Sequence, residues 1–315
     1  MEVFTIADEM ARWRGGWIAG LAASLAVSSA VGQEHRDAAL TLRAGVDLVL
    51  VPVTLMDRRG ALVTDMTQQH FSVLQDNAPQ PIVSFSREDV PCTLAIVLDT
   101  SESMAHQLSL AKQATSEILA NMEPEDEVLL AGVSDVPQIK APLTGDAASV
   151  RGILPFLKPG GNTALIDGIY LALAQLRSAH NARKALLIVS DGMDNNSGHS
   201  KSALMRMAVE ADVQFYTVSI GTPSRTAKPM VLREEREGLA FLSDLSAQTG
   251  GLNYSVEFPN QVGRVAHELG CALRDQYIIG YTAARDDSSR KWHKIQIKLD
   301  VPKINVYARN GYYSR

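Results

Sequence analysis

Residues 93–98, TLAIVL, form an unbroken apolar run. A strand without a polar face is expected where helices cover both sides of a parallel sheet. Strand and helix patterns then alternate as far as residue 274, which predicts an α/β domain with a doubly wound, mostly parallel sheet over residues 91–274. Its other predicted strands are 128–133, 138–143, 185–189, 215–220 and 252–255, and its predicted helices are 104–122, 147–157, 164–179, 202–211, 239–248 and 261–274.

The segments on either side of this domain carry a different pattern, in which short apolar stretches are separated by turn residues. Strands are predicted at 46–56, 71–74 and 81–85, the last two meeting across 75–79, and at 277–281, 292–299 and 305–308. Three strands are too few for a stable domain. We therefore expect residues 46–90 and 275–315 to combine into one small all-β sandwich in which the α/β domain is inserted.

Composition and charge argue against a nucleic-acid partner. The 315 residues carry a net charge of −5. Hydrophobic residues make up 46% of the sequence and charged residues 21%, which are ordinary values for a globular protein. The sequence shows no Lys/Arg cluster or aromatic–basic stripe that would neutralise a phosphate backbone. We therefore expect no nucleic-acid partner.

Residues 1–32 are interpreted as a signal peptide. Two arginines precede a short apolar run at residues 17–27, and the small residues Ala30 and Gly32 stand before the expected cleavage position. The run is shorter than the ~20 residues that span a bilayer. Cleavage is therefore favoured, with export to the periplasm, the cell envelope or the exterior. A retained N-terminal segment is the alternative and would be the protein's membrane contact. Residues 33–45 are expected to be a flexible lead-in.

Three polar clusters follow predicted strands or precede a predicted helix at the edge of the sheet where doubly wound domains bind ligands. They are residues 99–103 (DTSES), 160–163 (GGNT) and 190–192 (SDG). Alternation within the first cluster lets Asp99 and the serines two and four residues later point to one side. Carboxylate and hydroxyl oxygens with no His or Cys nearby in sequence favour Mg²⁺, Mn²⁺ or Ca²⁺ over Zn²⁺.

The predicted metal ligands are Asp99, Ser101, Ser103, Thr163 and Asp191. Five protein oxygens leave one coordination position free, and two negative charges leave a dication electrophilic. A carboxylate from a partner is therefore expected as the remaining ligand. Because the carboxylates lie in loops, we expect them to be exposed and their replacement to leave the fold intact.

These clusters resemble the metal-ion-dependent adhesion site of von Willebrand factor A-type domains, such as the inserted domains of integrins. The resemblance is carried by AIVLDTSESM, GGNTAL and LLIVSDGMDN, whose order, intervals and apolar lead-ins agree over about 91–274. Glu102 stands where glycine is common in the family, and Asn162 precedes the threonine. Neither change removes a ligand, but Glu102 brings an extra negative charge near the metal.

The resemblance implies the fold of that family, a divalent cation, and binding of a protein partner that offers an Asp or Glu carboxylate, without catalysis. The flanking segments are similar to those of exported bacterial proteins related to the same family. An adhesive or envelope-interaction role follows as the expectation.

Alternative interpretations remain for each cluster. Asp99 or Ser101 could cap the following helix, Thr163 could cap the next, and Asp191 could belong to an ordinary turn. One alternative is a metal-dependent hydrolase on the same scaffold, which would need a general base, and Glu102 is the candidate. Another is a structural envelope protein with a degenerate site. The sequence has no second Asp-Thr-Gly for an aspartic protease and no glycine-rich phosphate loop.

Two cysteines, Cys92 and Cys271, are predicted to form a disulfide across the two ends of the α/β domain, with two separate buried thiols as the alternative. Five histidines, among them His293, show no ligand spacing and are expected at the surface. Asp126, Asp135, Asp167 and Asp194 are expected in turns or at helix starts.

Overall fold

The computed structural model describes residues 46–221, 229–284 and 291–314. The predicted signal peptide and the lead-in lie outside the described residues. The strands are β1 (Val46–Asp57), β2 (Phe71–Gln75), β3 (Ala78–Gln80), β4 (Ile82–Asp89), β5 (Cys92–Asp99), β6 (Glu127–Val133), β7 (Gln138–Thr144), β8 (Arg183–Ser190), β9 (Gln214–Ile220), β10 (Asn253–Val256), β11 (Asp275–Ala284), β12 (Trp292–Leu299), β13 (Ile304–Ala308) and β14 (Gly311–Tyr313). The α-helices are α1 (Leu108–Ala120), α2 (Ala147–Ile153), α3 (Leu165–Gln175), α4 (Lys201–Glu210), α5 (Pro229–Thr249) and α6 (Val262–Arg274).

The central sheet has the strand order β10-β9-β8-β5-β6-β7 and is parallel except for its edge strand β7. Every residue of β5 is buried. Leu94, Ile96 and Leu98 of this strand belong to one apolar cluster and Ala95 and Val97 to another. Because side chains alternate across a strand, the two clusters lie on opposite faces of the sheet. Helices α1, α2 and α6 cover one face and α3, α4 and α5 the other. The predicted doubly wound α/β fold is confirmed.

The terminal segments form two antiparallel sheets, β13-β1-β11-β4 and β14-β12-β2-β3, that pack on each other. In the first sheet, strands from before and after the central domain alternate. Inward-facing residues of β1 and β11 build the core between the sheets together with Phe71, Val73 and Ile295. Both terminal segments are therefore needed for either sheet to be complete.

The chain enters and leaves the central domain at neighbouring positions. Asp89 at the end of β4 is the register partner of Asp275 at the start of β11. The Arg274 guanidinium lies at this junction, with ion pairs to Asp89 (2.7 Å), Asp126 (2.8 Å) and Glu123 (3.1 Å).

The predicted pairing of strands 71–74 and 81–85 is wrong. In the structure β2 pairs with β3, and β4 crosses to the other sheet to pair with β11. The cause is local, because Asp76 and Asn77 both have positive φ, 51° and 67°, as in a two-residue type I′ hairpin turn. That tight turn closes the hairpin before residue 81.

Several predicted helices begin or end at other residues than expected, and for two of them the sequence explains the difference. Helix 147–157 stops at Ile153 and continues as a 3-10 turn with Pro155, since proline does not fit a helix interior. The helix predicted at 239–248 begins at Pro229 instead. Its first half is rich in charged residues rather than apolar ones, so it lacks the stripe from which the helix was predicted, and an Arg233–Glu237 ion pair supports it.

The expected disulfide is not found, since both cysteines are free thiols. Cys92 is buried in the apolar core, whereas Cys271 is partly exposed on α6 with its sulfur 3.8 Å from Nε2 of His267. Among the described residues, no helix is both long and apolar enough to cross a membrane.

Candidate functional site

The first polar cluster begins at the carboxyl end of β5. Asp99 is the last residue of that strand and is 0% exposed, so the expectation of an exposed carboxylate is wrong. The backbone N–H and the hydroxyl of Ser101 donate to Oδ1 of Asp99 at 3.0 and 2.6 Å. The Ser101 and Ser103 hydroxyls are 3.0 Å apart. The alternating residues of this cluster therefore bring their oxygens together, as the spacing predicted.

The third cluster joins the first through a hydrogen bond. Ser190 is the last residue of β8, the neighbour of β5 in the sheet, and its hydroxyl donates to Oδ2 of Asp99 at 2.7 Å. Oγ of Ser190 also accepts the backbone N–H of Gly192 at 2.9 Å. Oδ1 of Asp191 accepts the N–H of Met193 at 3.0 Å.

Hydrogen bonds tie the second cluster to the first and to the residues that follow the third. The N–H of Gly160 donates to the Thr100 carbonyl at 2.9 Å, and the N–H of Glu102 donates to the Gly161 carbonyl at 3.0 Å. Thr163, which is 1% exposed, donates its N–H to Oδ1 of Asn195 at 2.9 Å. The Thr163 carbonyl in turn accepts the N–H groups of residues 195 and 196 at 3.0 Å each. All three loops are therefore held as one unit.

Burial, and after it the negative charge of Asp191, raise the pKa of Asp99 to about 6, against the opposing effect of the hydrogen bonds from Ser101 and Ser190. A buried carboxylate that is close to a second carboxylate favours a bound cation, because the cation would relieve both desolvation and repulsion. The donor set of carboxylates and hydroxyls suits a hard dication. The residues thus fit the kind of metal that the sequence predicts. Groups of three or more His, Cys, Asp or Glu with ligand spacing do not occur in the described part of the chain.

The capping interpretations are wrong for all three residues, Asp99, Ser101 and Thr163. Gln107 precedes α1, and although Ser101 precedes a 3-10 turn, its side chain makes no capping hydrogen bond. Ala164, not Thr163, is the N-cap of α3. The turn interpretation of Asp191 is supported in part, because its carboxylate accepts the N–H two residues later.

Several residues that support the site were not recognised from the sequence. Asn195 fixes Thr163, and Oδ1 of Asp135 accepts the N–H of Asn162 at 2.8 Å. Asp194 accepts the N–H of Ile166 at the start of α3 at 3.2 Å. For Asp194 and Asn195 the sequence signal was a run of Asp and Asn after the third cluster, which indicated turns and gave no partner.

Two predictions for residues elsewhere in the chain need correction. His293 is 5% exposed, since it packs on Tyr312 and pairs with Asp76 at 2.8 Å, so it is not a surface residue. Asp126 is more than a turn residue, because it is buried and pairs with Arg274.

Comparison with known families identifies the central domain. Residues 94–193 match the family model described as the von Willebrand factor type A domain. The chain contains a von Willebrand factor type A domain. All five predicted ligand residues lie within the matched span. The matched span ends shortly after β8, so β9 and β10 of the central sheet and the two antiparallel sheets lie outside it.

Individual relatives of this chain are distant in sequence. An uncharacterized protein of Borreliella burgdorferi is 26% identical over 182 residues, which cover 52% of this chain and 53% of the relative. The chain thus matches about half the length of that curated relative.

The solved structures that match are more distant still in sequence. One is an aerotolerance-related membrane protein of Bacteroides fragilis with multiple mutations to serine, at 21% identity and a TM-score of 0.45, covering 57% of this chain and 98% of that one. Another is a von Willebrand factor type A protein of Catenulispora acidiphila, at 11% identity and a TM-score of 0.46, covering 86% and 73%.

Proposed function

We propose that this protein binds one divalent cation, Mg²⁺ or else Mn²⁺ or Ca²⁺, and uses it to capture a carboxylate of a protein partner. The proposed ligands are Asp99, Ser101, Ser103, Thr163 and Asp191. The observation that carries the proposal is the buried Asp99 carboxylate, which is surrounded by hydroxyls and lies close enough to Asp191 for that charge to raise its pKa. A cation would supply an electrophilic position to which an outside carboxylate could bind.

The partner side of the site is open. Glu102 and Ser103 are exposed, whereas Asp99 and Ser101 behind them are fully buried. A partner would therefore approach over the 102–103 turn. The carboxylate of Glu102 would repel an acidic partner unless the cation were in place, which makes capture depend on the metal.

Binding is favoured over hydrolysis on this scaffold. Glu102 is the candidate general base of a hydrolase, but its side chain is exposed, whereas a general base is held in place by its surroundings. A phosphomonoester and phosphodiester assay with an Asp99→Asn control tests the hydrolase directly. A structural protein with a degenerate site is distinguished by its failure to bind metal.

We further propose export to the periplasm, cell envelope or exterior, on the basis of the charged, apolar and small residues in positions 1–32. The experiment for the function is capture of partners from an envelope extract in Mg²⁺, with chelator and with Asp99→Asn as paired controls. The proposal expects bands that disappear in both controls. Bands that persist in both would contradict metal-dependent capture.

A further inference from the structure

Two glycines are in direct backbone contact beside the proposed metal site. Gly192 directly follows Asp191, and Gly238 lies on the buried face of α5. A Cβ on Gly238 would lie 2.6 Å from the carbonyl carbon of Gly192 and closer still to its oxygen. A Cβ on Gly192 would lie 2.9 Å from the carbonyl carbon of Gly238. Since side chains do not approach backbone atoms this closely, α5 and the loop can pack in this way only without side chains at both positions.

The helix is poorly able to move away from the loop. Leu242 and Leu245, one and two turns after Gly238, are 0% exposed and belong to the apolar core. At the far end of the helix, the Gln248 carbonyl accepts the N–H of Asn310 at 3.2 Å. A methyl group at position 238 would therefore displace the loop, or bend the first half of α5, in preference to shifting the whole helix.

Displacement of the loop would act on two groups of the site. The N–H of Gly192 donates to Oγ of Ser190, whose hydroxyl donates to Asp99, and Asp191 is the residue between them. A shift of the Gly192 peptide would thus move a proposed ligand and loosen the hydrogen bond that orients the other carboxylate.

We propose that Gly238 is a positioning residue for the cation site, because its missing side chain fixes where the Ser190–Gly192 turn lies. The inference rests on the proposed metal binding, and it adds a residue of α5 that packs behind the Ser190–Gly192 turn and is not itself a proposed ligand. Supporting groups around metal ligands commonly change affinity about 10–100-fold when altered.

The test compares Gly238→Ala with Gly263→Ala by calorimetric titration with Mg²⁺ and Mn²⁺. Gly263 is an exposed helical glycine whose added Cβ would meet nothing within 4 Å, so it reports the effect of Ala on a helix alone. We expect Gly238→Ala to raise the Kd about 10–100-fold and Gly263→Ala to leave it unchanged. Equal affinity of a folded Gly238→Ala and the wild type would overturn the positioning role while leaving metal binding intact. No binding by the wild type would instead refute the proposed function.

Hydrogen exchange gives a readout that needs no metal. In the metal-free protein, Gly238→Ala should speed exchange at the Gly192 and Met193 amides, which donate to Ser190 and Asp191, whereas Gly263→Ala should not. If Gly238→Ala does not fold, hydrogen exchange of the wild type with and without Mg²⁺ tests the positioning role of Gly238. Because coupling is reciprocal, added Mg²⁺ should slow exchange around Gly238 in α5, and unchanged exchange there would overturn the inference.

Discussion

The hydroxyl of Ser190 donates a hydrogen bond of 2.7 Å to Oδ2 of Asp99, joining residues 91 positions apart in the chain. The two residues end neighbouring parallel strands, so the sheet itself brings them together. Ser101 donates to the other oxygen of the same carboxylate. Asp99 is therefore held from both sides before any ligand arrives, and a cation would meet a carboxylate that needs little reorganisation.

Ser190→Ala should weaken Mg²⁺ binding although Ser190 is not a proposed ligand. The substitution removes the donor that orients Oδ2 of Asp99, and we expect a Kd about tenfold higher, as for other groups that orient metal ligands. Calorimetry measures the change. Ser178→Ala is the matched control, because the Ser178 hydroxyl is exposed and bonds only to a local carbonyl. An unchanged Kd for Ser190→Ala would show that this hydrogen bond does not orient the site.

Arg274→Met should destabilise the protein where the chain leaves the central domain. Asp126 has a side chain only 2% exposed and would lose its counter-ion. Removal of one partner of a buried pair costs about 3 kcal/mol of the free energy of unfolding. Urea denaturation of the single variant and of Arg274→Met/Asp126→Asn checks this, since the second change should recover part of the loss. Arg233→Met, which breaks an exposed pair on α5, should have a far smaller effect. A similar loss in both arginine variants would contradict the account.

Asp167 should stabilise the loop that carries Asp191 in a pH-dependent way. Burial acts to raise its pKa, but the N–H of Gly198 and the ring and N–H of His199 outweigh burial and hold the pKa below its usual value. A lowered folded-state pKa gives stability that is fully present above the unfolded value of about 4 and is lost as the pH falls through the folded value.

Asp167→Asn should therefore lower the free energy of unfolding by about 1 kcal/mol at pH 6, with the difference from wild type shrinking below pH ~4. Denaturant unfolding at several pH values measures it. Asp244→Asn, at an exposed position of α5, is the control and should match the wild type throughout. A difference that stays constant down to pH ~3 would argue against the assignment.

Residues 46–90 should not fold alone. In the structure the neighbours of β1 are β13 and β11, and β4 pairs with β11, so this fragment keeps only the β2–β3 hairpin. Residues 91–274 should unfold cooperatively, but at lower denaturant than the full chain, because Gln276 no longer bonds to Gln214 and Tyr216. Circular dichroism of the two fragments during denaturant unfolding measures whether each of them folds. Cooperative unfolding of 46–90 by itself would refute the shared sandwich.

Most of the α/β fold could be predicted from the sequence because its signals are local. The apolar run of β5 and the stripes of the helices reflect burial that each segment undergoes wherever it packs. The partners of the terminal strands could not be predicted in the same way. Pairing of β1 with β11 depends on residues more than 200 positions apart. The Asp76-Asn77 turn closes the β2–β3 hairpin, so β4 pairs in the other sheet although its composition correctly predicted a strand.

The candidate site could be predicted in its residue types but not in its burial. The three clusters identified the side chains, because strand ends in such a sheet meet at one edge. The burial of Asp99, the bond from Ser190 and the contact of Gly192 with Gly238 each depend on how loops pack from distant parts of the chain. A glycine within a helix carries no sequence signal for that contact.

Calorimetric titration of the wild type and Asp99→Asn with Mg²⁺ and Mn²⁺ decides whether this protein holds a cation at Asp99. Asparagine is preferable to alanine, because Asp99 is fully buried and its side chain accepts hydrogen bonds that an alanine would leave unmade. We expect one cation per chain for the wild type and loss of most of the affinity in a variant that remains folded. Equal binding by both proteins, or none by the wild type, would contradict this expectation.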